Sequence, residues 1–263
     1  MLGRGFRAVY PGACWLSEGD YGQALVLVEQ ARALAEEIGH RQWLTFALVG
    51  QGLIYTDLFD LASGRQKLEE AMRLARETNS TIWLRFTTAF LAEISLMAGE
   101  LEQAGRLLDA DQTAITALSG MTQRAIWFER GQLAVARGQG QEALAIAEHL
   151  VASVPERRPE QAVPMLWLLR GAARAALGQA AEAERDWEAA LATARAQKLR
   201  PVVWRLEARL AQLFQAQGRS AEAATRLGSA RATVEVIART IPDGAQREQF
   251  ILGANGVLEG SNG

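Results

Sequence analysis

Two histidines, one glycine-rich phrase, a few carboxylate pairs and seven tryptophans are the residues of this chain that could do chemistry. His40 and His149 could hold a metal or act as a base, but neither has a ligand companion at helical spacing. His40 follows Gly39 in a breaker, and His149 falls late in a helical pattern, where a cation suits the helix dipole. Both read as structural. Gly138-Gln-Gly140-Gln-Glu-Ala143 spells the dinucleotide fingerprint, which needs a strand before it so that the helix N-terminus can receive a pyrophosphate. Here the preceding Leu133-Ala-Val-Ala-Arg137 has a helical pattern, and Gly178-Gln-Ala-Ala-Glu-Ala183 repeats the layout further on. The phrase is a turn within a repeat. Glu36-Glu37 and Glu69-Glu70 are adjacent and diverge around a helix, as solvated faces do. No Walker loop, paired-Cys motif or His-Glu-x-x-His occurs. With no nucleophile–base or metal constellation, neither an enzyme nor a bound cofactor is expected.

Composition narrows the remaining classes. The net charge of −2 is nearly balanced and no basic patch stands in the sequence, which disfavours nucleic acid, whose binding rests on several Lys and Arg contacts to phosphates. Cys14 is the single cysteine and permits no internal disulfide. Ala13-Cys14 faintly resembles a lipoprotein cleavage site, but residues 1–13 lack the apolar stretch such a leader needs. No run approaches the roughly 18 apolar residues of a membrane span. The expected location is the cytoplasm.

The strongest signal is a period. Trp127-Phe-Glu-Arg-Gly131 followed by Gly138 and Ala143 returns as Trp167-Leu-Leu-Arg-Gly171, Gly178 and Ala183. Laid along the chain, a small residue falls at Gly12, Gly52, Ala92, Gly131, Gly171 and Ala211, in steps of 40, 40, 39, 40 and 40. A turn position falls at Gly19, Phe59, Gly99, Gly138, Gly178 and Gly218, and a second small position at Ala24, Gly64, Ala104, Ala143, Ala183 and Ala223. Fixed-period similarity marks a repeat array. The segments Trp43–Leu58, Thr81–Ala98, Met165–Leu177 and Val202–Gln217 carry apolar residues at three- and four-residue spacing, so each unit is helix A, turn, helix B. Breakers at Gly39-His40, Asn79-Ser80, Ser119-Gly120 and Pro155–Pro164 separate the units, and no stretch alternates as a strand would. The expectation is an all-α array over residues 1–253, with repeats near 5–40, 41–80, 81–120, 121–160, 161–200 and 201–240. A C-terminal helix at 243–252 and a flexible tail at 254–263 follow. Trp43 and Trp83, like Trp127 and Trp167, share repeat positions, which implies equivalent packing in the core rather than stacking on a ligand.

These residues resemble the tetratricopeptide repeat family, whose pattern has a small residue and an aromatic in helix A, Gly before an aromatic at the turn, and Ala twice in helix B. Gly12, Trp15, Gly19, Tyr21, Ala24 and Ala31 carry it in the first unit, and Ala211, Phe214, Gly218, Ala223 and Ala230 in the sixth. The usual unit is about 34 residues, so this is a long variety. It is similar to the repeat regions that follow the ATPase module in large bacterial signalling proteins, including transcriptional regulators and cyclase fusions. The phrases at 33–40 and 241–250 carry that likeness. A period near 40 also suits HEAT-type repeats, but the paired Gly or Ala positions favour the tetratricopeptide pattern. The resemblance implies a right-handed superhelical solenoid of about six hairpins. Two units depart from the frame: Asp111 stands where an Ala should face its neighbour, and Pro11 interrupts the first helix A as if a longer array had been cut there.

In this family helix A lines a concave groove that takes peptides or helices. The positions so implied are Phe46, Val49 and Leu53; Phe86, Glu93 and Met97; Phe128, Gln132 and Val135; Met165, Leu168 and Ala172; and Arg205 and Gln212. The groove would be apolar, suited to an amphipathic helix, unless tight coiling buries these residues against one another. The expected function is a scaffold or sensor segment of a larger signalling protein with a protein or peptide partner. The alternative is a domain that senses a small effector and changes curvature.

Overall fold

Most of the described helices are stopped and the next one started within three residues, and one local device does that work. A computed structural model describes residues 18–112, 114–118, 120–154 and 163–260. Its α-helices are α1 (Tyr21–Glu37), α2 (Arg41–Asp57), α3 (Leu61–Glu77), α4 (Thr81–Met97), α5 (Leu101–Asp109) and α6 (Met121–Ala136). They continue as α7 (Gly140–Ala152), α8 (Pro164–Ala176), α9 (Ala180–Ala196), α10 (Arg200–Ala216), α11 (Ser220–Ala238) and α12 (Gly244–Leu258). There is no strand among the described residues. The chain is an all-α solenoid of helical hairpins.

The turn positions Gly19, Gly99, Gly138, Gly178 and Gly218 all adopt positive φ, and so does Phe59. Gly39, Asn79 and Lys198 do the same between units. At each such link from Gly39 onward the residue after the left-handed one donates its N–H five residues back, as in His40 N to Ala35 O (2.8 Å), Asp60 N to Tyr55 O (2.9 Å) and Gln139 N to Ala134 O (2.8 Å). This is the Schellman closure, which satisfies carbonyls that the helix end would otherwise orphan. The next helix then starts at once, in places under a side-chain cap from Asp20, Asp60 or His40. His40 thus has a structural role, accepting Trp43 N–H at Nδ1 (3.2 Å).

Small residues set the spacing inside each hairpin. A Cβ on Gly171 would lie 2.3 Å from Trp187 Nε1, and one on Gly52 would lie 2.6 Å from Leu68 Cγ. A Cβ on Gly131 would meet Leu169 Cδ2 at 2.7 Å, so its tightest neighbour is helix A of the next unit rather than its own helix B. Consecutive A helices (α2, α4, α6, α8, α10) touch one another, whereas consecutive B helices scarcely do. The A layer is therefore the inner wall of the curve.

That curve closes. Tyr21, Ala24 and Val28 of α1 and Ile54 and Leu58 of α2 share one buried cluster with Trp204 of α10, Val234 and Ile237 of α11, and Phe250, Ala254 and Leu258 of α12. Polar contacts follow the same seam. Arg205 pairs with Asp57 (2.8 Å), Arg200 Nη1 donates to Glu18 O (3.0 Å), and Tyr21 N–H donates to Thr240 Oγ1 (3.2 Å). Phe59 holds the left-handed position that Gly fills in the other units, a conformation costing an L residue about 1–2 kcal/mol. Its ring lies against Phe250 (centroids 6.3 Å), and a Cβ on Gly253 would meet it at 2.2 Å. Burial of that ring offsets the local strain. Helix α12 is thus a strap joining the turn of the second unit to the sixth.

Three expectations change here. The C-terminal helix does not end at 252 but continues to Leu258, and Ala254 and Leu258, expected in a flexible tail, are buried because the seam supplies an apolar surface for them. Asp111 is not inside a helix, because α5 stops at Asp109; its carboxylate accepts from Arg85 Nε at 2.8 Å, and Arg130 caps Leu108 O and Asp111 O. Trp43 is 39% exposed and stacked on His40, while Trp83 is half-buried, so equal repeat positions are not packed equally. The expectations for Pro11, Gly12, Cys14 and Trp15 lie outside the described residues.

Gly171→Leu should cost about 1–3 kcal/mol, because the new side chain must displace the Trp187 ring. Thermal melts would check this, and an unchanged midpoint would remove the close-contact assignment. Gly253→Leu should free the strap, and hydrogen exchange should then accelerate together in α12 and at residues 18–24, leaving α6–α8 unaffected.

Candidate functional site

The inner wall is built from one face of each A helix, and its apolar members are less open than their sequence positions imply. Val49 and Leu168 are buried in the clusters between helix layers, 5% and 7% exposed. They cannot line a free groove. Phe46, Leu53, Phe86, Met97, Phe128, Val135, Met165 and Ala172 are half-buried, as is Gln132. Phe128 and Val135 pack on the cluster of Ile146, Leu150 and Leu169, and Met165 on that of Trp187 and Leu191. The expected continuous apolar stripe is therefore not an exposed patch. The physical reason is the curl: touching A helices press these side chains against one another.

An aromatic row remains on the wall. Phe46 meets Trp83 edge-on (5.4 Å), Trp83 meets Phe86 (5.9 Å), and Phe86 stacks on Phe90 (5.8 Å). Phe86, Phe90, Glu93 and Met97 recur at helical spacing along α4, so the row leads directly to a carboxylate.

Charged groups converge where that row ends. Asp57 closes α2, Glu93 lies in α4, Glu129 in α6 and Arg205 in α10. Burial, followed by the Asp57 charge, pushes the Glu93 carboxyl up to about 7 against the opposing pull of Arg205. Burial likewise raises Glu129 well above the carboxylate range, and Glu93 adds to it. Burial disfavours the Arg205 charge, but Asp57, Tyr21 and Glu93 together hold its guanidinium above its ordinary value. The Tyr21 hydroxyl, raised first by burial and then by Asp57, is sealed in the seam and makes no hydrogen bond of ordinary geometry. One turn beyond Arg205, Arg209 is half-buried, and burial alone lowers its guanidinium; no ion pair reaches it among the described residues.

Two of the expected wall residues serve the closure itself. Arg205 is committed to Asp57 and to Pro201 O, and Gln212 Nε2 donates to Val257 O (2.8 Å) in the strap. Asp57, Glu129, Arg209 and Tyr21 were outside the sequence expectation. Asp57 and Arg209 carry a faint signal, since each is charged and continues the wall face by one helical turn from Leu53 and Arg205. Glu129 carries none, because it sits between Phe128 and Arg130 in an ordinary amphipathic run. Among the described residues no group of three or more His, Cys, Asp or Glu side chains could hold a metal ion, and no helix is long and apolar enough to cross a membrane.

Hairpins in fixed register, left-handed links and a wall of A helices define an all-α helical-repeat solenoid. Among solved structures the chain is similar to the TPR2AB domain of yeast Sti1 in its complex with pHSP90, at 15% identity and a TM-score of 0.38, over 95% of this chain and 98% of that one. No family model matches the sequence and no curated protein does. The class therefore rests on the register and turn geometry of this chain.

A carboxyl raised in the folded state favours folding at pH values below its unfolded range and loses that advantage as pH climbs through its folded value. Glu93 sets the window from the ordinary carboxylate range to about 7. Glu93→Gln should therefore raise stability at about pH 8 by roughly 1–3 kcal/mol and change it little at about pH 5. Denaturant titrations at the two pH values check this; equal effects at both would remove the buried-acid assignment.

Proposed function

We propose that this protein is an interaction scaffold or regulatory segment whose concave wall receives a peptide or helix from a protein partner, within a larger signalling protein. The observation that carries this reading is the inner wall of α4 and α6, where half-buried aromatic rings run into ionisable groups that no described residue pairs. A wall required only for packing has no use for unpaired buried charge, which costs stability unless something compensates it. Helical-repeat walls also suit extended or helical segments, which lay anchors along successive units. The aromatic row Phe46–Trp83–Phe86–Phe90 would supply the apolar anchors. The partner chemistry so implied is neither nucleic acid nor lipid, and the site of action is the cytoplasm.

A second reading has its own support. The Arg205–Asp57 pair and the strap α12 tie the two ends of the array together, so an effector competing for either group would alter curvature. A small-effector sensor is thus the alternative.

Selection of short displayed peptides on the immobilised protein tests the first reading. Selected peptides should bind with an affinity that Phe86→Ser lowers by about tenfold or more, a loss of roughly 1.4 kcal/mol, with helicity retained by circular dichroism. Glu69→Ser, on the exposed face of α3, should leave binding intact. Failure to select any peptide, or equal binding by folded Phe86→Ser, would sink it.

A further inference from the structure

The described residues contain three carboxylates in the buried class, and the fold treats one of them differently. Asp186, 5% exposed, is held by Arg170 (3.0 and 2.6 Å) and Arg174 (2.9 Å). Glu207, 0% exposed, is held by Arg195, Arg226 and the Ser229 hydroxyl. Glu129 is 6% exposed and has neither a hydrogen bond nor an ion pair among the described residues. Its strongest charged neighbour is another carboxylate, Glu93 of the adjacent A helix, which is itself half-buried and likewise unpaired. A buried carboxylate without a partner is strongly destabilising unless it is neutralised or compensated. This protein pairs its other buried carboxylates with two arginines each, so the exception is selective.

The local balance has a sign. Asp57 and Glu93 face one guanidinium, that of Arg205, whose short bonds go to Asp57 and Pro201 O, while the charge acting on Glu129 is that of Glu93 alone. Arg209 does not make up the deficit, since no ion pair joins it to a carboxylate among the described residues. Arg130, next to Glu129 in sequence, is turned away to cap the end of α5 and to cover the Trp127 ring at 4.3 Å. Among the described residues the missing component is a cation, and the rings of Phe86 and Phe90 on the same face of α4 offer a cation the π surface it favours.

We propose that Glu93 and Glu129 form a receptor for the cationic side chain, arginine or lysine, of the protein segment that the concave wall takes up. The proposal rests on the peptide-binding reading above and adds the chemistry of its anchor. A guanidinium suits the pair best, because its planar fork can donate to two carboxylates at once while stacking on a ring. The segment's apolar residues would lie on the aromatic row, and its cation would sit one to two turns further along α4.

The test uses the whole chain and defined probes: acetyl-Phe-Arg-Phe-amide, the same peptide with citrulline in place of arginine, and ethylguanidinium alone, each added at about pH 8. The arginine peptide at tenfold excess over its Kd should raise the melting temperature by about 2–4 °C. The citrulline peptide, with the same shape and no charge, should give no shift. Glu129→Gln and Glu93→Gln, which keep the side-chain shape and remove the charge, should each abolish the response without lowering the starting melting temperature. Equal shifts from the arginine and citrulline peptides would overturn the cation receptor while leaving the peptide groove standing, as would a full response in both Gln variants. A shift from ethylguanidinium equal to that from the arginine peptide would overturn the protein segment as occupant and, with it, the peptide-binding reading. No shift from any probe overturns the proposal.

Discussion

The constraint on which the rest of this structure depends is the three-residue link with a left-handed centre. It ends one helix, satisfies its last carbonyls and starts the next helix without room for adjustment. Because the same link recurs at a nearly constant period, each hairpin leaves its successor in much the same orientation. Contact between A helices without matching contact between B helices then bends the stack in one direction. Closure of the seam between α1–α2 and α10–α12 is the outcome of repeating that small bend, and it costs the chain few new devices.

Closure has a price on the inner wall. Bringing the ends together with touching A helices takes the wall side chains out of solvent, and with them whatever charge the wall carries. Asp57 and Arg205 solve this by pairing across the seam. Glu93 and Glu129 find no partner among the described residues, and burial holds both carboxyls above their ordinary range. A fold that neutralises Asp186 and Glu207 so thoroughly has arginines available, which is why the unpaired acids point to a ligand rather than to careless packing.

The irregular places are informative in the same way. Among the described residues α5 is the shortest α-helix, at nine residues, and it is braced from outside by Arg85 and Arg130 rather than by its own continuation. Phe59 takes a backbone conformation that glycine holds elsewhere, and its ring is the anchor on which the strap closes. In both cases a departure from the repeat marks a tertiary contact that the repeat alone does not make.

By itself the sequence determined the hairpins, their register and the glycine-marked turns between helices, because these depend on local chemistry: helical spacing of apolar residues, and glycine where φ must be positive. The turn positions from Gly19 to Gly218 were legible for that reason, and so were the small positions at Gly52, Gly131 and Gly171. The wall was legible as a set of helix positions but not as an environment. Whether Phe86 or Leu168 is open, and whether Glu129 is solvated, depends on the angle accumulated along the stacked hairpins, which no single window of sequence contains. Only the tertiary structure decided that the array closes on itself, that α12 runs on to Leu258, and that the Glu93 charge acts on Glu129 across two A helices. The reason is geometric: small rotations between neighbours add along a solenoid, and the contacts that end the addition join residues nearly two hundred positions apart.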